Sequence, residues 1–337
     1  MGGKKSLKKI VCLMMVFMTT AFSLVGCGGS KDNAANNDAL KITMVTSVGG
    51  VTDGSFNQSA WEGLQKAEKE LGINISYIES KQEADYITNL EQAVDGNNDL
   101  ILATGFPMQQ ALLETAKNYP EQKFAIVDVD YGDETPENVT CISFNESESG
   151  YIVGLVAGRM TKTNIVGFVG GMDNVVVRKF QNGYEAGVKA ANPDAKVLAQ
   201  YVNSFADQAK GKSIASQMYS NDADIIFACA GDSGVGTLEC AKETGKFAIG
   251  VDRDQNDIAP DNILTSAMKK VNEGVYSVVE NLNNGTFEGG KTLVFGLNEK
   301  GVGLAPSTDK NVPQEIIDYV NEQEQKIIDG ELVVPNK

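Results

Sequence analysis

Three kinds of side chain in this sequence stand where they could hold a small molecule. Asp128 and Asp252 each close a short apolar run, KFAIVDVD at 123–130 and KFAIGVDRD at 246–254. A carboxylate at the end of a buried strand can accept two hydrogen bonds from a vicinal diol. Lys269, directly after ILTSAM at 263–268, can donate and balance charge, or it is simply a solvated lysine. Phe56 in GGVTDGSFN (49–57) and Phe205 in SFAD (204–207) both fall between a strand pattern and a helix pattern, so two rings, one from each half, could sandwich a planar group. Beside Phe56, Asp53 and Asn57 offer an acceptor and an amide. The structural alternative is that Asp53 or Ser55 caps the next helix while Phe56 fills the core, and that Asp207 and Phe205 act as cap and staple. Gly231, in AGDSG at 230–234, permits close approach of backbone to a neutral ligand, because the spacing matches neither a phosphate loop nor a dinucleotide fingerprint.

Such groups bind; they do not assemble into a catalyst. The chain has no histidine in 337 residues, which removes Ser-His-Asp and Cys-His mechanisms and histidine-based zinc sites. Asp252-Arg253-Asp254 superficially suggests a calcium loop, but the glycine and terminal glutamate of that loop are missing. No metal and no cofactor are expected.

The elements that position these residues occur twice. NDLILA at 98–103 is echoed by ADIIFA at 223–228, and Phe56 with Phe180, Gly63 with Gly187, Asp128 with Asp252 and Asp130 with Asp254 are each 124 residues apart. An ordered series at one offset marks a duplication. Within each half, short β-branched runs alternate with helical patterns, which predicts right-handed crossovers and two doubly wound parallel-sheet α/β lobes. Chemistry in such sheets gathers at the carboxyl ends of the strands, where the residues named above fall. The expected lobes are 40–143 plus 269–295, and 144–266 plus 304–337. Asp128 and Asp252 should face each other between them. A helix over 147–160 carries Gly150, Gly154, Ala157 and Gly158, small enough for close packing.

Residues 1–26 read as an export signal: a lysine-rich start, an apolar run over 10–25 and small residues before Cys27. Loss of the leader's four lysines takes the formal net charge from −16 to −20. A body so acidic argues against nucleic acid as a partner. Cys12 leaves with the leader, so Cys141, Cys229 and Cys240 remain in the body, an odd count without metal spacing. Residues 27–39 are polar and glycine-rich, a flexible tether.

TDGSFNQSAWEGL at 52–64, SFADQAKGK at 204–212, GVDRDQ at 250–255 and TSAMKK at 265–270, following the lipobox-like LVGC at 24–27, resemble the basic membrane protein family of bacterial lipoproteins. The resemblance covers nearly all of the mature chain. It implies a type I periplasmic-binding-protein fold, two lobes joined by a multi-strand hinge, and a solute-binding component of an ABC importer that takes purine nucleosides. By the same resemblance Phe56 and Phe205 stack the base, Asp53 and Asn57 address its edge, Gly231, Asp252 and Lys269 hold the ribose, and Asp128 is a further contact. Cys27 would carry lipid and anchor a monomer to the outer face of a membrane, next to its permease subunits; an ordinary secretory signal is the alternative. A sugar-binding lipoprotein or a sensory receptor of the same fold would use similar side chains, as would a surface adhesin, whereas a nucleoside hydrolase would need a carboxylate cluster for metal that the sequence does not offer.

Overall fold

The computed structural model describes residues 39–335; the leader, Cys27 and nearly all of the tether lie outside the described residues. The first six-stranded sheet has the order β11-β5-β4-β3-β1-β2, with β1 (Lys41–Thr46), β2 (Asn74–Glu79), β3 (Leu100–Thr104), β4 (Phe124–Val127), β5 (Val139–Phe144) and β11 (Lys291–Phe295). All of its pairings are parallel. The second has the order β12-β10-β9-β8-β6-β7, with β6 (Ile165–Gly170), β7 (Lys196–Tyr201), β8 (Ile225–Cys229), β9 (Phe247–Asp252), β10 (Ile263–Lys269) and β12 (Val302–Leu304). It is parallel except where β12 runs against β10. The two orders superimpose strand for strand, which is the duplication seen in the sequence.

Each sheet is covered on both faces, as near-continuous apolar strands require. On β1, Ile42 and Met44 join a core under α1 (Phe56–Leu71) and α8 (Val271–Asn283), while Val45 joins the opposite core under α2 (Tyr86–Asp95) and α3 (Gln109–Asn118). The period of two along a strand makes that division. In the second lobe, α4 (Glu146–Met160), α5 (Val175–Ala191) and α9 (Gln314–Ile328) cover one face, and α6 (Gln208–Ser220) with α7 (Asp232–Thr244) cover the other. Among the described residues no helix is long and apolar enough to cross a membrane.

The chain passes between the sheets three times, and two of these places differ from the expected boundaries. Phe144 still pairs with Phe295 in the first sheet, and β10 continues past Ser266 until Lys269 pairs with Val302 in the second. The hydrogen-bond ladders therefore carry the crossings to Asn145 and Lys270. The third lies between Phe295 and Val302. Besides the reversed β12, a second irregularity breaks the match between lobes: the ladder of β10 with β9 slips between Ile263 and Thr265, so β10 holds one residue more than β5. That is a β-bulge.

Helices α4 and α5 pack almost backbone to backbone. A Cβ on Gly154 would meet the carbonyl oxygen of Tyr184 at 2.3 Å, and one on Gly187 that of Tyr151 at 2.1 Å. Gly63, the counterpart of Gly187 on α1, meets Asn272 of α8 at 2.5 Å in the same way. Substituting Gly154→Ala should lower stability by about 1–3 kcal/mol through overpacking. Gly303→Ala, with open space around it, should stay within about 0.5 kcal/mol. Urea unfolding of the two variants checks the contrast; equal losses would count against the close packing.

Candidate functional site

All eight residues singled out in the sequence line one cavity between the lobes, with about 600 Å³ of space not filled by atoms, counted to its mouth. Its floor is an ion bridge. Lys269, 2% exposed, points its Nζ from the end of β10 to Asp128 Oδ2 at 2.6 Å and to Asp252 Oδ1 at 3.8 Å. The solvated alternative for this lysine does not hold. Its ammonium also lies 4.7 Å from the ring centre of Phe56, 5.6 Å from Phe180 and 5.8 Å from Phe144, within reach of cation–π attraction.

Asp128 and Asp252 occupy matching places just beyond β4 and at the end of β9, and both take a left-handed backbone, φ 65° and 66°. Non-glycine residues adopt that conformation at a cost, which is smallest for Asp and Asn. Asp252 Oδ2 accepts from Ser55 Oγ at 2.5 Å, a bond between lobes. Asp128 Oδ1 is buried and has no hydrogen-bond partner among the described residues. Burial raises Asp252 to about 6 against the opposing pull of Lys269 and Ser55. Burial also works to lower Lys269, but Asp128, Asp252 and Glu146 outweigh it and hold the ammonium above the usual lysine range.

Asp53 and Asn57 form a closed network. Asp53 Oδ1 accepts from the backbone N–H of Ser55 and Gln58, and its Oδ2 from the backbone and the side-chain amide of Asn57. Asn57 Oδ1 in turn accepts from Ser47 and Thr104 at 3.2 and 2.6 Å. Asp53 is thus the structural alternative of the sequence reading, a cap for α1, while still forming cavity wall. Burial pushes its carboxyl up despite those four bonds. Asp207 likewise caps α6, accepting from Lys210 N at 2.9 Å.

The pairing of Phe56 with Phe205 as equivalent loops needs correction. Phe205 follows β7, whose counterpart is β2, whereas Phe56 follows β1, whose counterpart is β6. The true counterpart of Phe56 is Phe180, buried in the same cavity. The 124-residue offset gave that signal; α5 begins five residues further ahead of Phe180 than α1 does of Phe56, so the ring sits inside a helix instead of at its start. Val176 and Val177 also line the cavity, and Asn174 caps α5 through their N–H groups. Phe205 and Gly231 nevertheless meet: a Cβ on Gly231, φ 56°, would touch Phe205 at 3.3 Å. Cys229 is buried and also lines the cavity, its thiol pushed well above the usual range by burial. Glu146, which the sequence reading missed, lies behind the bridge, 2% exposed, with Oε2 lacking a hydrogen-bond partner and Lys179 Nζ at 3.5 Å.

Comparison with known proteins bears on this site. Residues 40–337 match the family described as ABC transporter substrate-binding protein PnrA-like. A CD4+ T-cell-stimulating antigen of Listeria innocua is 41% identical over 98% of this chain and 100% of its own. The ABC transporter nucleoside-binding protein BmpA of Lactococcus lactis is 36% identical over 98% and 99%. Among solved structures, an ABC transporter system solute-binding protein from Aeropyrum pernix superimposes with a TM-score of 0.82 at 29% identity, covering 88% of this chain and 94% of that one.

Burial, then the charge of Asp128, raise Glu146 to about 7 against Lys269 and Lys179. Folding therefore tightens its hold on a proton, and between the ordinary glutamate range and about 7 the folded state carries more protons than the unfolded one. Stability from this group is then lost as pH rises across that window. Wild type should lose more unfolding free energy than Glu146→Gln when pH goes from 5.5 to 7.5; parallel losses in urea titrations would refute the assignment.

Proposed function

The chain belongs to the Bmp family of PnrA-like ABC transporter substrate-binding proteins, and from that premise we propose that it captures purine nucleosides between its two lobes and hands them to a membrane permease. It is a binding protein and not an enzyme. The name of the Lactococcus relative supports a nucleoside, and the chemistry of the cavity supports it independently.

One observation carries the reading: Asp128 Oδ1 is a buried acceptor without a donor among the described residues, in a cavity wall shared with an ammonium and half-buried rings. A buried carboxylate oxygen calls for a hydrogen bond, and a neutral hydroxyl supplies one without adding charge. In the proposed complex a ribose diol lies over Asp128, Asp252 and Lys269, and the backbone at Gly231 lets it come close. The base stacks on Phe56 and Phe205, with Phe180 behind Lys269. Asn57 has one amide hydrogen left for the base edge, and Asp53 acts by holding that amide still. Stacking and apolar enclosure provide most of the affinity, while the polar groups select.

The same walls reject phosphate. Asp53, Asp128 and Asp252 outnumber Lys269 among the charged lining residues, so a 5′-phosphate would bring two negative charges into a buried, acidic site. A ligand that touches both lobes favours the form in which they meet. Cys27, by this reading, carries lipid, residues 28–39 tether a monomer to the membrane, and the joined lobes dock on the permease. A sugar alone is the second reading, since the ion bridge would suit its hydroxyls, but it would cover less of the rings than a planar base does.

Calorimetric titration of the body beginning at Gly28, after unfolding and refolding to strip carried ligand, tests this. Adenosine, guanosine or inosine should bind submicromolarly, ribose weakly, and inosine 5′-monophosphate at least ~100-fold more weakly than inosine. Phe56→Ala should cost about 1–3 kcal/mol, the range for a base stacked on an aromatic ring. Heat with ribose or galactose and none with any nucleoside would overturn the ligand while leaving the fold intact.

A further inference from the structure

Three residues at and just beyond the end of β9 do more than present a carboxylate to the cavity. Asp252 accepts from Ser55 Oγ at 2.5 Å, Arg253 reaches Glu62 Oε1 at 3.1 Å, and Gln255 Nε2 donates to the carbonyl of Gly54 at 3.0 Å. All three acceptors or donors on the other side belong to one stretch of the first lobe, residues 54–62, where the loop enters α1. A Cβ on Gly54 would lie 3.4 Å from a side-chain methyl of Val235 on α7, so the lobes also come into contact range at this rim. Gln255 is 1% exposed, and its Oε1 accepts from Val251 N at 2.8 Å, which fixes the side chain before it crosses. Glu62 is held for Arg253 by Gln58 Nε2 at 3.0 Å. Arg253 and Glu62 line no part of the cavity.

From these bonds we propose that Arg253 and Glu62, with Gln255 on Gly54, form a clasp that holds the lobes together and sets how long a captured ligand stays, whatever its base. The inference rests on the reading of the cavity as a capture site. Its logic is that of a shared closed state: contacts made between the lobes without the ligand shift the closing equilibrium, and every ligand that needs the closed form gains the same factor. The pair is partly exposed, so its factor is modest. Arg253 and Glu62 are therefore positioning residues, not recognition residues.

Two measurements on Arg253→Gln and Glu62→Gln test it. Stopped-flow dissociation of inosine should speed up by about 2- to 5-fold in each variant, with the association rate and the ranking of adenosine, guanosine and inosine unchanged. Small-angle scattering without added nucleoside should show a larger radius of gyration than wild type. The swapped double variant, Glu62→Arg with Arg253→Glu, should recover both values, which a general loss of folding would not allow. Unchanged dissociation with unchanged scattering, a changed ranking, or a swap that recovers nothing would overturn the clasp. If wild type binds no nucleoside, scattering alone decides: spreading keeps the clasp and drops the nucleoside, and no spreading drops both.

Discussion

Everything in the cleft depends on one buried ammonium. Taking Lys269 out of water is expensive, and the mutual attraction of a buried pair repays that only when the geometry is good and the remaining polar atoms are satisfied. Here the repayment comes from two sides, Asp128 in one lobe and Asp252 in the other. A charge bound to both lobes makes their separation an electrostatic event as well as a mechanical one.

The balance at that nitrogen is incomplete, and the incompleteness is useful. Three carboxylates, Asp128, Asp252 and Glu146, act on Lys269, and two of their oxygens have no hydrogen-bond partner among the described residues. Fully paired, the cluster would be a rigid staple with nothing to offer a ligand. Overpaired with acid, it keeps one acceptor ready in the cavity wall and one carboxyl, that of Glu146, near neutrality behind it. The aromatic rings around Lys269 limit access of water, so the same electrostatic interactions act at closer to their unscreened strength.

Much of this was legible before any coordinates. The 124-residue echo announced two lobes and put Asp128 opposite Asp252; the helix expected over 147–160 fell within one residue of its observed bounds. Local signals account for that success, because apolar periodicity and glycine stops act over a few residues. What escaped depended on neighbours distant in sequence. Asp53 reads identically as a cap or as a ligand acceptor until its four donors are seen. Phe180 was in plain view as the echo of Phe56, but its place in the cavity depends on where α5 starts. Glu146 carries no motif at all, and only burial beside Asp128 makes it unusual. The crossings at Asn145 and Lys270 are set by ladder pairing with β11 and β12, partners more than 30 residues away.

The extra residue in β10 has a consequence for how such a site could arise. In register, Ser266 pairs beside Gly250, whereas the first lobe sets Cys141 beside Ile126; the bulge has advanced the second strand by one. Lys269 thereby stands where its twin carries Phe144. A duplicated gene begins with two identical halves, and identical halves would bring like groups together across their axis, ring to ring or cation to cation. One residue more in β10 than in β5 breaks that symmetry. It turns a symmetric seam into a polar one with a distinct top and bottom, which is the least a container needs to hold a molecule whose two ends differ.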